Sequence, residues 1–261
     1  MSIELKAVHI GYSHKKGHKR IAGPISLEMP KGSLTAVVGL NGSGKTTLIK
    51  SIAKHLPLLE GSLTIEGTSI QKINTQKLAK ILSVVLTNAL ASENMSVYEL
   101  VSTGRHPYLN WYGRLAKKDH EIIEEALAFT NMKEIAFKKI HELSEGQKQK
   151  ALIAKALAQD TPYMILDEPM AHLDLHHKAQ LIALLKKLVQ QKNKTVILST
   201  HDIENALKFA HNILVITKDQ CVAGTPKTLI ETQIFEQLFP TEHIIFNAQT
   251  KQFLFRGLDT K

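Results

Sequence analysis

Leu34-Thr35-Ala36-Val37-Val38-Gly39-Leu40-Asn41-Gly42-Ser43-Gly44-Lys45-Thr46 is the stretch of sequence that decides the fold. It begins as a short apolar strand, and its second part fits the phosphate-loop pattern G-x-x-x-x-G-K-[ST] without a mismatch. A helix is predicted to follow, from Thr46 to His55. The glycines let backbone N–H groups turn inward around phosphate oxygens, and the helix N-terminus adds its positive dipole end. The stretch therefore predicts a nucleotide site between a strand and a helix.

The side chains of this loop have separate predicted roles. Lys45 is expected to reach the β- and γ-phosphates, and the Thr46 hydroxyl is expected to ligate Mg²⁺. The residues predicted to bind the nucleotide here are Gly39, Asn41, Gly42, Ser43, Gly44, Lys45, Thr46 and Thr47.

Two adjacent carboxylates, Asp167 and Glu168, end the apolar strand that starts at Tyr163. A buried charge needs a partner, and Mg²⁺ with a nucleotide is a suitable one. Asp167 is expected to hold the metal. Glu168 is expected to act as the general base that polarises the attacking water, a role worth ~10²–10⁴-fold in rate. The alternative is a pair of carboxylates that cap the next helix.

Composition favours one domain of 261 residues, or one domain with an inserted subdomain. No apolar run reaches the roughly 18 residues that span a bilayer, and Met1 to Leu5 do not resemble a signal peptide. Cys221 is the only cysteine, which fits a reducing compartment. These features predict a soluble, cytoplasmic protein.

The net charge of +9 leaves three classes of partner open: nucleic acid, an anionic membrane surface, or nucleotide phosphates. The basic residues are scattered apart from the run His14 to Arg20, which is expected to be an exposed hairpin tip. No aromatic residues are interleaved with this charge, which argues against nucleic acid.

The order of the predicted elements indicates an α/β fold. The first third of the chain reads as strands that alternate in polarity, such as Leu5 to Ile10 and Ile25 to Met29. A helical insertion is predicted over residues 88–157, after which strands and helices alternate again. Its helices are predicted over Ser96 to Ser102, Asp119 to Thr130 and Glu145 to Gln159. Ser96 with Glu99 predicts a capping box, and Asp119 is predicted to be an N-cap.

Leu143-Ser144-Glu145-Gly146-Gln147 lies between the phosphate loop and the two carboxylates, and it resembles the LSGGQ signature of the ATP-binding cassette family. Glu145 stands where glycine is commonest. The resemblance implies a P-loop NTPase core with an N-terminal antiparallel β subdomain and an inserted α-helical subdomain. It implies one ABC ATPase domain over residues 1–261. Residues 1–87 and 158–261 would form the core, and residues 88–157 the signature subdomain.

The resemblance also assigns residues outside the phosphate loop to the ATP site. It makes His201 the switch histidine that contacts the γ-phosphate, and Tyr12 the aromatic side chain that stacks on adenine, although a plain turn tyrosine stays open. Asp174 fits the aspartate of the D-loop. The signature residues implied to contact the nucleotide of a second chain are Ser144, Gly146 and Gln147.

Thr87 is a departure from the family pattern. After the strand Ile81 to Leu86, the family normally has a glutamine that ligates Mg²⁺ and relays contact with the membrane partner. The Thr87 hydroxyl could take the metal position, or water could fill it.

Two motifs in the insertion, Met95 to Val101 and Gly104 to Tyr108, look like those of ATPase subunits that serve iron–siderophore, haem and cobalamin importers. The resemblance implies an ATPase that uses ATP and Mg²⁺ and forms a head-to-tail homodimer. The dimer would power an integral-membrane permease supplied by a substrate-binding protein. It would be cytoplasmic and peripheral, on the inner face of the cell membrane, with no nucleic-acid partner.

Three rival functions stay open. They are a soluble cassette ATPase with a non-membrane partner, an ATP-binding module with weak hydrolysis, and a nucleic-acid ATPase.

Overall fold

The structure is a computed structural model that describes residues 2–14, 17–86, 94–217, 219–239 and 243–255. The chain forms two compact units, one of Met1–Ile70 with Ile197–Lys261 and the other of Gln71–Val196. The strands are β1 (Ser2–His14), β2 (Gly17–Pro30), β3 (Leu34–Gly39), β4 (Glu60–Ile65), β5 (Thr68–Ser69), β6 (Leu82–Val85), β7 (Tyr163–Leu166), β8 (Thr195–Thr200), β9 (Asn212–Ile216), β10 (Cys221–Gly224), β11 (Ile244–Asn247) and β12 (Gln252–Phe255). The helices are α1 (Lys45–Ile52), α2 (Thr75–Ala79), α3 (Val97–Ser102), α4 (Lys117–Phe129), α5 (Glu145–Ala158), α6 (Leu175–Lys192), α7 (Ile203–Phe209) and α8 (Pro226–Glu231).

The first unit contains an antiparallel sheet with the strand order β2-β1-β4-β5. Leu5 of β1 lies opposite both Leu27 of β2 and Leu63 of β4, and all three side chains are buried. Apolar residues alternate with exposed polar ones along β2, as a half-buried strand requires. This sheet confirms the predicted N-terminal antiparallel β subdomain.

The same unit contains the strand that leads into the phosphate loop. All six residues of β3 are buried, and β9 pairs with it in parallel, with Val37 opposite Leu214. The β10 strand continues this pairing in the antiparallel sense, with Val222 opposite Val215. Strands buried on both faces read as continuous apolar runs, which is why the short run at Leu34 could be recognised as a strand.

The second unit combines two parallel strands with a group of helices. Leu82 of β6 lies opposite Tyr163 of β7, and β8 begins in this unit, where the Thr195 N–H donates to the Pro162 carbonyl over 2.9 Å. Helices α3, α4 and α5 pack on one another through buried aliphatic side chains. These helices confirm the predicted helical insertion between strands of the P-loop fold.

The predicted capping box at the start of α3 is confirmed. The Ser96 N–H donates to Glu99 Oε2 over 2.7 Å, and the Glu99 N–H donates to Ser96 Oγ over 3.2 Å. The N-cap predicted at Asp119 is wrong. The cap of α4 is Ala116, and Asp119 lies in the first turn, where its Oδ2 accepts the Ala116 N–H over 2.9 Å. A carboxylate that reaches back from the first turn produces the same polar start as a cap, so the sequence pattern placed the N-cap three residues late.

The basic run at the tip of the first hairpin lies partly within the described residues. Gly17 and His18 of β2 pair with His14 and Ser13 of β1, and Lys19 and Arg20 are exposed. This placement agrees with an exposed hairpin, while residues 15 and 16 lie outside the described part.

Within the described ranges, none of the helices is both long enough and apolar enough to cross a bilayer.

Candidate functional site

The phosphate loop turns from β3 into α1 on glycines with left-handed backbone. Gly42 has φ 80° and Gly44, the N-cap of α1, has φ 108°. The turn is closed by the Ser43 N–H, which donates to the Leu40 carbonyl over 3.2 Å. Residues other than glycine rarely adopt such φ values, so the glycine spacing of the motif follows from the geometry of the loop.

Lys45 lies across this loop. Its Nζ donates to the Gly39 carbonyl over 3.0 Å and to the Leu40 carbonyl over 3.2 Å, and the residue is only 5% exposed. A lysine ammonium has three N–H donors and no acceptor. Its positive charge therefore lies within the loop, where phosphate oxygens would be bound.

The loop forms one wall of a cavity of about 260 Å³ in the first unit. The cavity is lined by Tyr12, Ile21, Gly42, Gly44, Lys45, Thr46 and Thr47. Ser43 Oγ is buried and has no hydrogen-bond partner among the described residues. A buried hydroxyl normally has a partner, and a phosphate oxygen is a suitable acceptor. The residues present thus fit a nucleotide with its phosphates in the loop.

Tyr12 lies at the mouth of this cavity. Its hydroxyl lies 3.3 Å from Thr47 Oγ1, and the residue is 39% exposed. An aromatic ring that is accessible and fixed at its polar end can stack on a flat base. Ile21, also in the lining, is a wall residue that sequence reasoning missed, because an isoleucine in a strand carries no signal of a ligand.

The carboxylate pair follows the buried strand β7 in the second unit. The Asp167 N–H donates to the Val85 carbonyl over 2.8 Å, and Asp167 is 5% exposed. Glu168 has φ 48°, in the left-handed region. The chain therefore turns sharply between the two residues.

The signature segment forms the start of α5. Ser144 is the N-cap: its Oγ accepts the Gln147 N–H over 3.3 Å, and its own N–H donates to Gln147 Oε1 over 3.0 Å. These two bonds form a complete capping box. The N-terminus of the fourteen-residue helix is thereby held in place, with the positive end of its dipole at Ser144 and Glu145.

Asp174 is the N-cap of α6. Its Oδ1 accepts the His177 N–H over 2.8 Å and lies 2.8 Å from His177 Nδ1. The backbone hydrogen bond from His177, followed by the bond from its ring, lowers the pKa of Asp174. The D-loop carboxylate is therefore ionised at neutral pH and held by its own helix.

His201 follows β8, whose six residues are all buried, and His201 itself is exposed. The next residue, Asp202, caps α7 by accepting the Asn205 N–H over 3.3 Å. The histidine therefore stands between a rigid strand and a capped helix. Thr87 lies outside the described residues.

The site residues that the structure brings together fall into two groups, one in each unit. In the first unit, Tyr12 and the phosphate loop share one cavity. In the second, the signature and Asp174 adjoin through His177, which contacts both Asp174 and Gly146. Sequence reasoning gave His177 no role. Its position three residues after Asp174 signals a cap contact, but the contact with Gly146 joins distant parts of the chain.

Comparison with known proteins agrees with this geometry. The family model described as ABC transporter matches residues 22–171. The petrobactin import ATP-binding protein FpuD of Bacillus anthracis is 35% identical over 242 residues, which cover 92% of this chain and 87% of that protein. The iron(3+)-hydroxamate import ATP-binding protein FhuC of Bacillus subtilis (strain 168) is 34% identical over 253 residues, which cover 96% of this chain and 93% of that protein.

A solved structure supports the fold. An ATP-binding cassette of an ABC transporter, in its ADP conformation, superposes with a TM-score of 0.78 at 21% identity, over 90% of this chain and 98% of that one. The predicted family, fold class and enzyme class are confirmed. The chain belongs to the ATP-binding, ATP-hydrolysing subunits of the ABC transporter family.

Proposed function

We propose that this chain powers the import of an iron–siderophore or a related chelate, such as haem or cobalamin, through a membrane permease. The observation that carries this proposal is the relation to two proteins named for petrobactin and iron(3+)-hydroxamate import, each across more than nine-tenths of this chain. The motifs at Met95 to Val101 and Gly104 to Tyr108 support the same class.

We assign the roles at the ATP site as follows. Lys45 binds the β- and γ-phosphates, Glu168 acts as general base, and His201 contacts the γ-phosphate. Thr46 and Asp167 would hold Mg²⁺, which supplies positive charge at the phosphate oxygens. Asp167 is buried and Glu168 is partly exposed, and this difference in environment supports two different roles for the adjacent carboxylates. Thr87 remains a candidate for the third Mg²⁺ ligand.

A head-to-tail homodimer would complete each site. The chain carries one phosphate loop and one signature. Ser144, Gly146 and Gln147, with Asp174, would meet the nucleotide held by the second copy. The capped start of α5 supports this role, because a helix N-terminus is a natural anion site. ATP would favour the closed dimer by as much as it binds that state better than the open one.

The permease would contact the inserted helical subdomain, which we place at residues 88–157 within a core of 1–87 and 158–261. Trp111 and Tyr112 are 96% and 81% exposed, and exposed aromatic side chains are enriched in protein interfaces. The ATPase would lie at the inner face of the cell membrane, and a substrate-binding protein would deliver the chelate on the other side.

A Glu168→Gln variant tests the ATPase part of the proposal. It should hydrolyse ATP ~10²–10⁴-fold more slowly than the wild type. It should also elute as a dimer in ATP and as a monomer without nucleotide. The rival function of an ATP-binding module with weak hydrolysis predicts that the variant and the wild type have equal rates and equal elution.

Co-expression with a permease that co-purifies with this chain tests the transport part. Right-side-out membrane vesicles that hold the ATPase and ATP on the inside should accumulate radioactive iron from a ferric hydroxamate added outside. Labelled haem and cobalamin are the parallel substrates. Full ATPase activity, with no membrane partner found and no uptake of any of the three, would favour a soluble cassette ATPase instead.

A further inference from the structure

His177, in the first turn of α6, touches two predicted parts of the ATP site at once. Its Nδ1 lies 2.8 Å from Asp174 Oδ1. Its ring lies against Gly146 of the signature so closely that a Cβ added to that glycine would be 2.3 Å from His177 Cδ2. The side chain of His177 is one-third exposed, at 33%. The D-loop and the signature thus share one histidine.

The hydrogen bond to Asp174 fixes the orientation of the imidazole. An ionised carboxylate accepts hydrogen bonds and cannot donate them, so Nδ1 carries the proton and donates it to Asp174. The same Asp174 oxygen accepts the His177 backbone N–H. With the ring tied at Nδ1, its opposite edge, Cδ2 and Nε2, is the part that lies against Gly146.

The glycine is the matching half of this contact. Gly146 is buried, and a side chain there would meet the imidazole well inside van der Waals distance. The Ser144–Gln147 capping box fixes the helix start on the other side. The His177 ring therefore packs directly against the start of α5. The helix cannot move closer to the ring, and removal of the ring would leave a gap.

We propose that His177 is a positioning residue that holds the D-loop carboxylate and the signature glycine in one fixed arrangement, so that both reach the nucleotide of the second copy together. This inference rests on the proposed head-to-tail dimer. A displacement of about 1 Å at a positioning contact can cost ~10²-fold in rate. Loss of His177 should therefore lower the rate of hydrolysis without changing how the phosphate loop of the same chain binds ATP.

His176 provides the matched control. It is the neighbouring histidine on the same helix turn, and it is exposed. Its Nε2 lies 2.7 Å from Gln180 Nε2, one turn along α6. Gln180 also accepts from Lys150 of α5, and the His176 ring meets the His177 ring edge-on, with centroids 5.6 Å apart. Replacement of His176 therefore removes a neighbouring imidazole but leaves the His177 bond to Asp174 and its contact with Gly146 in place.

Three substitutions of His177 separate the hydrogen bond from the packing. His177→Ala removes both, His177→Phe keeps a ring without the donor, and His177→Asn keeps a donor near the Nδ1 position without the ring. We expect kcat to fall ~10–100-fold in His177→Ala, with the KM for ATP within about threefold of the wild-type value. His177→Asn should recover part of the loss. His176→Ala should match the wild type.

Gly146→Ala provides an independent test of the contact. The added methyl group should clash with the imidazole and lower kcat strongly. Combining Gly146→Ala with His177→Ala removes the clash. The two substitutions should therefore be non-additive, with the double variant no slower than the slower single variant. Additive losses would contradict the contact.

The inference is wrong if His177→Ala keeps the wild-type kcat, or if His176→Ala loses as much as His177→Ala does. It is also wrong if the KM for ATP rises while kcat stays unchanged. If a fall in the Tm of His177→Ala prevents its assay, His177→Asn and the single variant Gly146→Ala decide, and a wild-type kcat in both would contradict the inference. If wild-type protein hydrolyses no ATP and Glu168→Gln forms no dimer, the proposed function fails, whatever the His177 series shows.

Discussion

Gly39 is the residue at which β3 ends and the phosphate loop begins, and two close contacts leave no room for a side chain there. A Cβ there would lie 2.4 Å from the Ile216 carbonyl oxygen and 2.7 Å from Ser43 Oγ. Its carbonyl also accepts the Lys45 ammonium. The first contact is with backbone of β9, which cannot rotate away as a flexible side chain could.

Gly39→Ala should therefore displace the loop rather than the neighbouring strand. We expect the Kd for ATP to rise about tenfold or more, which corresponds to ~1.4 kcal/mol, together with a stability loss of about 1–3 kcal/mol from overpacking. Isothermal titration with ATP and urea denaturation measure the two effects. Gly224→Ala is the matched control, because the nearest atom to its Cβ would be at 3.5 Å. Unchanged ATP affinity in Gly39→Ala would contradict the reasoning.

Single residues divide into those that a local pattern can reveal and those that it cannot. The roles predicted for Lys45 and the loop glycines depend on spacing within eight residues, so the printed sequence carries them. The neighbours of Gly146 and Gly39 come from strands and helices far along the chain. Such contacts arise only when the fold is assembled, which is why the role of His177 could not be predicted.

At the scale of elements, the helical insertion is held by a buried ion pair. Arg105 lies in a short 3₁₀ segment, Thr103–Tyr108, and its Nε donates to Asp119 Oδ1 over 2.9 Å. Its Nη1 donates to the Ala158 carbonyl at the end of α5 over 2.8 Å. The centroid of the Tyr108 ring lies 4.1 Å from Arg105 Cζ, so the ring covers the guanidinium. One side chain thus joins the 3₁₀ segment, α4 and α5.

Asp119→Asn should cost about 3–5 kcal/mol of unfolding free energy at pH 7, because it leaves the Arg105 charge buried without its partner. Urea denaturation measures this loss. Glu121→Gln is the matched control, since it removes an exposed carboxylate from the same helix. A loss below about 1 kcal/mol for Asp119→Asn would show that the pair contributes no more than a surface ion pair.

The same pair predicts a pH dependence. Desolvation tends to raise the pKa of Asp119, but the hydrogen bond from the Ala116 N–H and the interactions with Arg105 outweigh it, and the pKa is lowered. A lowered pKa stabilises the fold above the unfolded value of about 3.9, and the contribution disappears as the pH falls through the folded pKa. The stability difference between wild type and Asp119→Asn should therefore narrow below about pH 3.9. A constant difference would contradict the assignment.

The positions of strands could be predicted from the sequence where buried residues follow one another or alternate regularly along the chain. The continuous apolar runs gave β3 and β7, and alternation gave β1 and β2, because each reflects how many faces of the strand are covered. The start of α4 was misplaced, since Asp119 acts from within the first turn. Its second partner, Arg105, lies fourteen residues earlier and is invisible to a helix-cap pattern.

At the scale of the whole molecule, the proposed dimer separates the two halves of each site between two chains. A chain with a defective phosphate loop would still offer its signature to a partner. A chain with a defective signature would still bind ATP in its own loop. In a head-to-tail dimer, one chain of each kind can therefore combine to form one intact site. Two such defective chains could not restore activity if each site lay within a single chain.

Mixing Lys45→Ala protein with Ser144→Arg protein tests this arrangement. Each variant alone should hydrolyse ATP on the order of 10²-fold more slowly than the wild type, or worse. The equimolar mixture should recover about a quarter of the wild-type rate, because half of the dimers are mixed and each holds one intact site. Mixing two Lys45→Ala samples is the control. A mixture as inactive as its components would rule out the head-to-tail site.

The left-handed turn at Glu168 has an evolutionary consequence. Holding a non-glycine residue at φ 48° costs of order 1–3 kcal/mol, and asparagine tolerates this backbone better than glutamate does. Glu168→Asn should raise the Tm while it abolishes hydrolysis, and calorimetry beside an ATPase assay would record both. Selection for thermal stability alone would therefore favour replacement of this glutamate. If both changes are observed, Glu168 is a position where thermal stability is given up to retain turnover.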